Sequence, residues 1–159
     1  MINETNNSLN FSIRPMTQDD LDRVLELERN IFPDPWPRSV FEEQFSDDSW
    51  GGVVALSDGL VIGYAYYVMV GVESHLTNIA VDPDYRRKLV AYHLLATILK
   101  AVKKEDCEYI LLEVRLSNKS AISFYDENNF NVLCRYPGYY QNPTEDAYVM
   151  VHYFNDEGK

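Results

Sequence analysis

Apolar and polar positions along this chain alternate between two periods, and the changes of period mark out its elements. Phe11-Ser12-Ile13-Arg14 alternates and stops at Pro15, a short first strand. Thr17 then offers an N-cap, with Asp19 and Asp20 behind it, and Leu21, Val24, Leu25, Leu27, Glu28 and Ile31 follow at helical spacing. Pro33, Pro35 and Pro37 break that helix and frame Trp36. A second short helix is expected to start near Arg38, burying Val40, Phe41 and Phe45. Residues 52–56 and 60–70 read as two strands joined by Ser57-Asp58-Gly59, whose Asp-Gly favours a tight hairpin. His75 to Val81 is a further strand. Val90, Ala91, Leu94, Leu95, Ile98, Leu99 and Val102 make one apolar helix face, ending in Lys103 and Lys104. Residues 108–115 form a strand, and Asn118 caps a helix running to about Asn128, after which Asn129 tolerates the left-handed position. Phe130 to Tyr136 and Ala147 to Phe154 close the chain as strands, with a polar loop, Gly138 to Asp146, carrying Tyr139 and Tyr140 between them. The order β-α-α-β-β-β-α-β-α-β-β predicts an α/β (α+β) architecture, one mixed sheet with helices on both faces.

The bulk numbers narrow the class. The chain has 159 residues, enough for one domain over residues 11–159 that buries roughly 68–70% of its unfolded surface. The polar first ten residues, MINETNNSLN, are expected to be a disordered tail; they lack a basic segment followed by an apolar one and so are not a secretory signal. No apolar run approaches the roughly 20 residues of a membrane helix, and the expected compartment is the cytoplasm. Fourteen Lys and Arg against 25 Asp and Glu give a net charge of −11. That balance argues against a nucleic-acid footprint or attachment to an anionic membrane. It suits a basic substrate, and it equally suits plain solubility. The two cysteines, Cys107 and Cys134, make neither a disulfide framework nor a metal spacing, and Cys134, in the apolar context of Val132 and Leu133, reads as a reduced packing residue. No metal site is expected. His75, His93 and His152 stand apart from any Ser or Cys partner pattern and read as structural, His93 on the exposed helix face.

Against this acidic background one junction stands out. In TNIAVDPDYRRKLVAYHLL (Thr77–Leu95) a strand stops at Asp82-Pro83, three cations follow in a row (Arg86, Arg87, Lys88), and a helix begins. A strand that hands over through a basic turn to a helix N-terminus aims unpaired backbone N–H groups at one point. The helix dipole adds to their field, so the point favours phosphate.

Asn78-Ile79-Ala80-Val81-Asp82-Pro83, the turn Arg86-Arg87-Lys88-x-x-Ala91, and the order of elements resemble the GNAT superfamily of acetyl-CoA-dependent N-acyltransferases. Further on, LEVRLSNKSAISFY (Leu112–Tyr125) and the late Tyr139-Tyr140 … Glu145-Asp146-Ala147 … Met150 resemble a narrower group, the bacterial ribosomal-protein alanine N-acetyltransferases of the RimI type. The resemblance spans about Ile13 to Phe154. It implies the GNAT fold, a mixed, mostly antiparallel central sheet of about six or seven strands with helices on both faces. It implies acetyl-CoA as co-substrate, held as an extra strand beside Ile79, Ala80 and Val81, with the Val81 N–H donating to the thioester oxygen. Arg86, Arg87 and Lys88, with the backbone N–H groups from Leu89 through Val90 and Ala91 to Tyr92, are implied to hold the pyrophosphate, Arg86 having a second reading as the residue that fixes the turn. One departure is Leu89, where the family motif has glycine. It costs nothing if its backbone is helical and on the order of 1–2 kcal/mol if φ is positive.

The same resemblance implies the chemistry. Holding thioester and amine together supplies effective molarities worth ~7–11 kcal/mol. Glu113 projects to the face of its strand opposite Ile110, Leu112 and Val114, and is implied to be the general base for the substrate ammonium, directly or through water. The other reading of Glu113 is a solvent-face partner of Arg115. Tyr125 is implied to give a proton to the coenzyme sulfur, and Asn118 to bond the pantetheine as well as cap its helix. Trp36, Tyr139 and Tyr140 are the candidate acceptor residues, with Glu145 and Asp146 attracting a basic peptide. The implied acceptor is a protein or peptide N-terminal α-amine, a ribosomal-protein alanine first among candidates. The alternatives are a small-molecule amine and, because of Leu89, a catalytically weak acyl-CoA-binding module.

Overall fold

The computed structural model describes residues 8–154; the disordered tail expected over residues 1–10 lies mostly outside them. Within the described part, Leu9 packs against the larger core, and the Asn10 carbonyl accepts from Ser57 Oγ at 3.0 Å. The elements follow the predicted order: β1 (Ser12–Pro15), α1 (Leu21–Ile31), α2 (Arg38–Glu42), β2 (Trp50–Ser57), β3 (Leu60–Val70), β4 (Glu73–Val81), α3 (Val90–Lys104), β5 (Tyr109–Arg115), α4 (Lys119–Glu127), β6 (Asn131–Tyr140) and β7 (Glu145–Tyr153). Short 3-10 turns stand at Gln18–Asp20, Glu43–Phe45 and Pro83–Tyr85. The strands make one seven-stranded sheet in the order β1-β2-β3-β4-β5-β7-β6. All neighbours are antiparallel except β4 and β5.

Helices cover both faces because the two sets of strand side chains are each apolar. On one face α1 and α2 pack through Leu21, Val24, Leu25, Leu27 and Phe41 onto Val54, Tyr64, Tyr66 and Ala80. On the other, α3 lays Val90, Leu94, Leu95, Ile98 and Val102 onto Ala55, Ile62, Ala65 and Leu76, and α4 adds Tyr125. The β2–β3 connection is the two-residue turn that Asp58-Gly59 favours, both residues left-handed (φ 49° and 77°). Gly63 is required by close approach: a Cβ there would meet the Ala80 carbonyl oxygen at 2.9 Å and Leu94 Cδ1 at 3.2 Å. Thr17 is the N-cap expected ahead of α1, the structure adds a reciprocal cap with Asp20 on the 3-10 turn that leads into it, and Asp20 also takes a two-pronged pair from Arg14 (2.7 and 2.9 Å). Among the described residues no helix is long and apolar enough to cross a membrane.

The feature that makes a site is the short life of the parallel pair. β4 and β5 are paired only from Glu73–His75 against Tyr109–Leu111. Immediately beyond, Thr77 is an extra residue in β4, because Tyr66 and Tyr67 of β3 face Asn78 and Leu76. A bulge bends the strand that carries it, so the rest of β4 leaves β5 and a cleft opens between them.

Four sequence expectations are corrected here. The polar loop expected from Gly138 is strand: β6 runs to Tyr140 and the turn is only residues 141–144. The Pro and Gly signals belong to a large bulge instead, where residues 137–139 lie between the pairs Tyr136–Ala147 and Tyr140–Glu145. Asp146 holds the bulge by accepting from the Gly138 N–H at 2.9 Å. Of the three residues expected to be buried by α2, Phe41 is fully buried, Val40 half-buried and Phe45 exposed. Cys134 is exposed on edge strand β6, and the buried cysteine is Cys107, because β6 carries no helix over its apolar side chains.

Candidate active site

The cleft between β4 and β5 has a volume of about 1240 Å³. Its walls include Ile79, Ala80, Val81, Arg86, Arg87, Leu89, Val90, Ala91, Tyr92, Glu113, Asn118, Tyr125, Trp36, Tyr139 and Tyr140. Of the coenzyme, catalytic and aromatic acceptor candidates named in the sequence, Lys88 alone does not line it, and neither do the acceptor-attracting carboxylates Glu145 and Asp146. Along β4, the Asp82 N–H reaches back to the Ile62 carbonyl of β3 at 2.8 Å. Alternation along an extended strand therefore turns the N–H groups of Ile79 and Val81 the other way, into the cleft, where β5 has ceased to pair. These unpaired donors suit an extended amide-bearing ligand and an oxyanion.

At the end of β4 the chain turns sharply. Arg87 and Leu89 are left-handed (φ 61° and 64°), with Lys88 between them outside that region. Alternating handedness gathers successive backbone N–H groups around one point, and α3 adds its N-terminus there. The Arg86 Nε donates to the Val81 carbonyl at 3.2 Å, so this side chain anchors the turn to the strand. Arg87 also lines the cleft. Free amides, a helix N-terminus and Arg87 fit a diphosphate, and the free strand edge fits a pantetheine arm.

Leu89 is 67% exposed, so its side chain contributes little packing to offset its backbone conformation. Leu89→Gly is expected to stabilise the protein by about 1 kcal/mol, raising the melting midpoint by roughly 2–4 °C. An unchanged or lower midpoint in a thermal melt would show that the turn carries no such strain.

Across the cleft, Glu113 has the facing predicted from its strand, but its partner is different. Its Oε2 lies 2.5 Å from His75 Nε2; an ionised carboxylate only accepts, so the ring N–H donates. Arg115 instead pairs with Glu145 at 3.4 Å. His75, expected to stand alone, thus sits in the site. The missing signal was the register: His75 pairs with Leu111 of β5, two residues before Glu113, and composition alone does not reveal a parallel pairing.

Tyr125, on α4, is 7% exposed and packs its ring against Phe124 and Phe130. Burial, with a smaller contribution from Tyr140, pushes its phenol above the ordinary tyrosine range. Asn118 caps α4 through the Ala121 N–H at 3.2 Å and also lines the cleft.

A buried group the sequence marked only as helical completes the floor. Glu28 of α1 is 1% exposed and accepts from Asn78 Nδ2 (2.8 and 2.9 Å), from the Trp36 N–H (3.0 Å) and from the Tyr64 hydroxyl. Burial and the Glu28 charge raise the Tyr64 phenol. This carboxylate ties the Pro-framed segment at Trp36 to β4. The carboxylates expected to draw in a basic peptide are engaged internally. Glu145 is held below the usual range by the Ser117 hydroxyl and N–H and by Arg115, and Asp146 by the Gly138 N–H and Arg135. Asp34, which accepts from Asn142 Nδ2 at 2.9 Å, Glu113 and Glu127 are the exposed or half-buried acids on the cleft wall.

Residues 21–130 match the family model described as the acetyltransferase (GNAT) family. The N-alpha-acetyltransferase of Saccharolobus solfataricus is 32% identical over 93% of this chain and 96% of its own length. The [ribosomal protein bS18]-alanine N-acetyltransferase of Escherichia coli K12 is 29% identical, covering 88% of this chain and 95% of its own. The crystal structure of the Escherichia coli ribosomal-protein-S18-alanine N-acetyltransferase superposes with a TM-score of 0.84 at 28% identity, covering 94% of this chain and 97% of that one.

Proposed function

This chain belongs to the GNAT acetyltransferase family and is an acetyl-CoA-dependent N-acetyltransferase, and from that premise we propose that it acetylates protein N-terminal α-amines, a ribosomal-protein alanine being the first candidate acceptor. The observation that carries this reading is the opposition, across one cleft, of the unpaired β4 edge and the Glu113–His75 pair, with a rim built from two loops. Trp36 lies on the first loop, and Tyr139 and Tyr140 precede the second. A cleft of about 1240 Å³ lined by these aromatic rings suits the first residues of a polypeptide better than a small amine. The names of the bacterial and archaeal relatives support the same acceptor class.

When bound, acetyl-CoA supplies the acetyl group as a thioester. Arg87 and the amides from Leu89 onward hold the diphosphate, Arg86 braces their turn, and the Ile79 and Val81 N–H groups bond the arm and the carbonyl oxygen. Glu113 takes the proton from the acceptor ammonium, with His75 orienting the carboxylate. As the new C–N bond forms and the C–S bond breaks, Tyr125 gives its proton to the departing sulfur. Trp36, Tyr139 and Tyr140 line the acceptor's path.

Mass-spectrometric acetylation of a peptide library varied at its first residue tests the acceptor. Alanine-starting peptides with basic residues downstream are expected to lead. Preference for polyamines or other small amines over every peptide would overturn the reading.

A further inference from the structure

Arg115 stands two residues after Glu113 on β5 and projects to the same face, yet its guanidinium turns away from that carboxylate. One terminal nitrogen donates to the Pro143 carbonyl at 3.1 Å, the other to the Gln141 carbonyl at 3.0 Å. The group also pairs with Glu145 and lies 4.3 Å from the centre of the Tyr140 ring. Glu145 in turn accepts from the Ser117 N–H (2.8 Å) and hydroxyl (2.9 Å). A single half-buried cation therefore grips the turn between β6 and β7 at two carbonyls, and the grip is tied to the residue preceding Asn118. The far side of the same turn reaches the Trp36 segment through the Asn142–Asp34 bond.

The geometry points to Arg115 as a positioning residue for the acceptor, resting on the acceptor end proposed above. It holds residues 141–144 and the Tyr140 ring over the Glu113 end of the cleft, so the incoming amine meets a fixed wall. Gln141 and Tyr140 both line the cleft, so a loosened turn changes the wall itself. The planar fork is what the task needs: its separate N–H groups reach two carbonyls and a carboxylate at once while its face covers an aromatic ring, which a lysine ammonium cannot do. The coenzyme end, at Arg87 and Leu89, shares none of these contacts.

Steady-state kinetics on Arg115→Ala and Arg115→Lys, with coenzyme binding followed separately by calorimetry, test the assignment. Arg115→Ala is expected to raise the acceptor KM roughly tenfold to a hundredfold, the scale of lost charge-assisted hydrogen bonds, while coenzyme affinity stays at the parent value. Arg115→Lys is expected to follow the alanine variant, because it keeps the charge and loses the fork. An unchanged acceptor KM, a parallel loss of coenzyme affinity, or full rescue by lysine overturns it. Should Arg115→Ala not fold, Glu145→Gln carries the test: it removes the counter-charge with its shape kept, and an acceptor KM at the parent value again overturns the assignment. The kinetics use whichever amine the parent enzyme acetylates fastest, so a wrong acceptor class shows in the parent and a wrong clamp only in the variants.

Discussion

Glu113→Gln is expected to lower kcat/KM for acetyl transfer roughly 10²–10⁴-fold, the contribution of a placed general base. The substitution keeps shape and removes only the capacity to take a proton. The amide oxygen still accepts from His75 Nε2–H, the contact that is 2.5 Å long in the parent, so a thermal melt should show little change. Coenzyme affinity should also persist, since the residues proposed to hold the diphosphate, Arg87 and the turn before α3, are on other elements than Glu113. A loss confined to turnover separates a base from a scaffold carboxylate. Full activity of Glu113→Gln across the pH range would remove Glu113 from the mechanism.

Hydrophobic periodicity made the framework of this fold legible, because the central strands and the helices α1 and α3 each bury apolar side chains against the sheet. The α3 stripe from Val90 to Val102 is at helical spacing and is the most deeply buried helix face. The Asp58-Gly59 turn announces itself through a residue pair that fits its two left-handed φ angles. The β6–β7 hairpin was misread for an equally physical reason. Pro137 and Gly138 signal a break in local conformation, and a bulge and a loop break it alike; only the pairing of Tyr140 with Glu145 tells them apart. The site divides the same way. The proposed coenzyme residues, Asn118 apart, fall in one stretch from Ile79 to Tyr92, and all except Lys88 line the cleft. The acceptor end is assembled from α1, β4, β5 and the β6–β7 turn, so Glu28, His75 and Arg115 carry no local signal. Their meaning is in distances that arise only when the strands are paired. Leu89 shows the converse: the sequence posed two costs for it, and the observed φ of 64° selects the higher one.

Tyr125→Phe is expected to slow transfer about 10²-fold, the lower end of the range for a proton donor. The lower end applies because a thiolate, with a reference pKa of about 8.5, departs tolerably without full protonation. Phenylalanine keeps the ring contacts with Phe124 and Phe130 and removes only a hydroxyl, so the fold should be undisturbed. The pH dependence carries the sharper test. Burial raises the Tyr125 phenol, so the neutral, proton-bearing form persists above the ordinary tyrosine value of about 10. The parent rate should accordingly show no alkaline decline from this group below about pH 10. An ordinary, solvated phenol would begin to lose its proton there and drag the rate down. If the parent has an alkaline limb centred below pH 10 that disappears in Tyr125→Phe, the proton donor is Tyr125 but its site is wetter than the packing implies. If Tyr125→Phe retains the full parent rate, the sulfur takes its proton from water and Tyr125 serves only to wall the cleft.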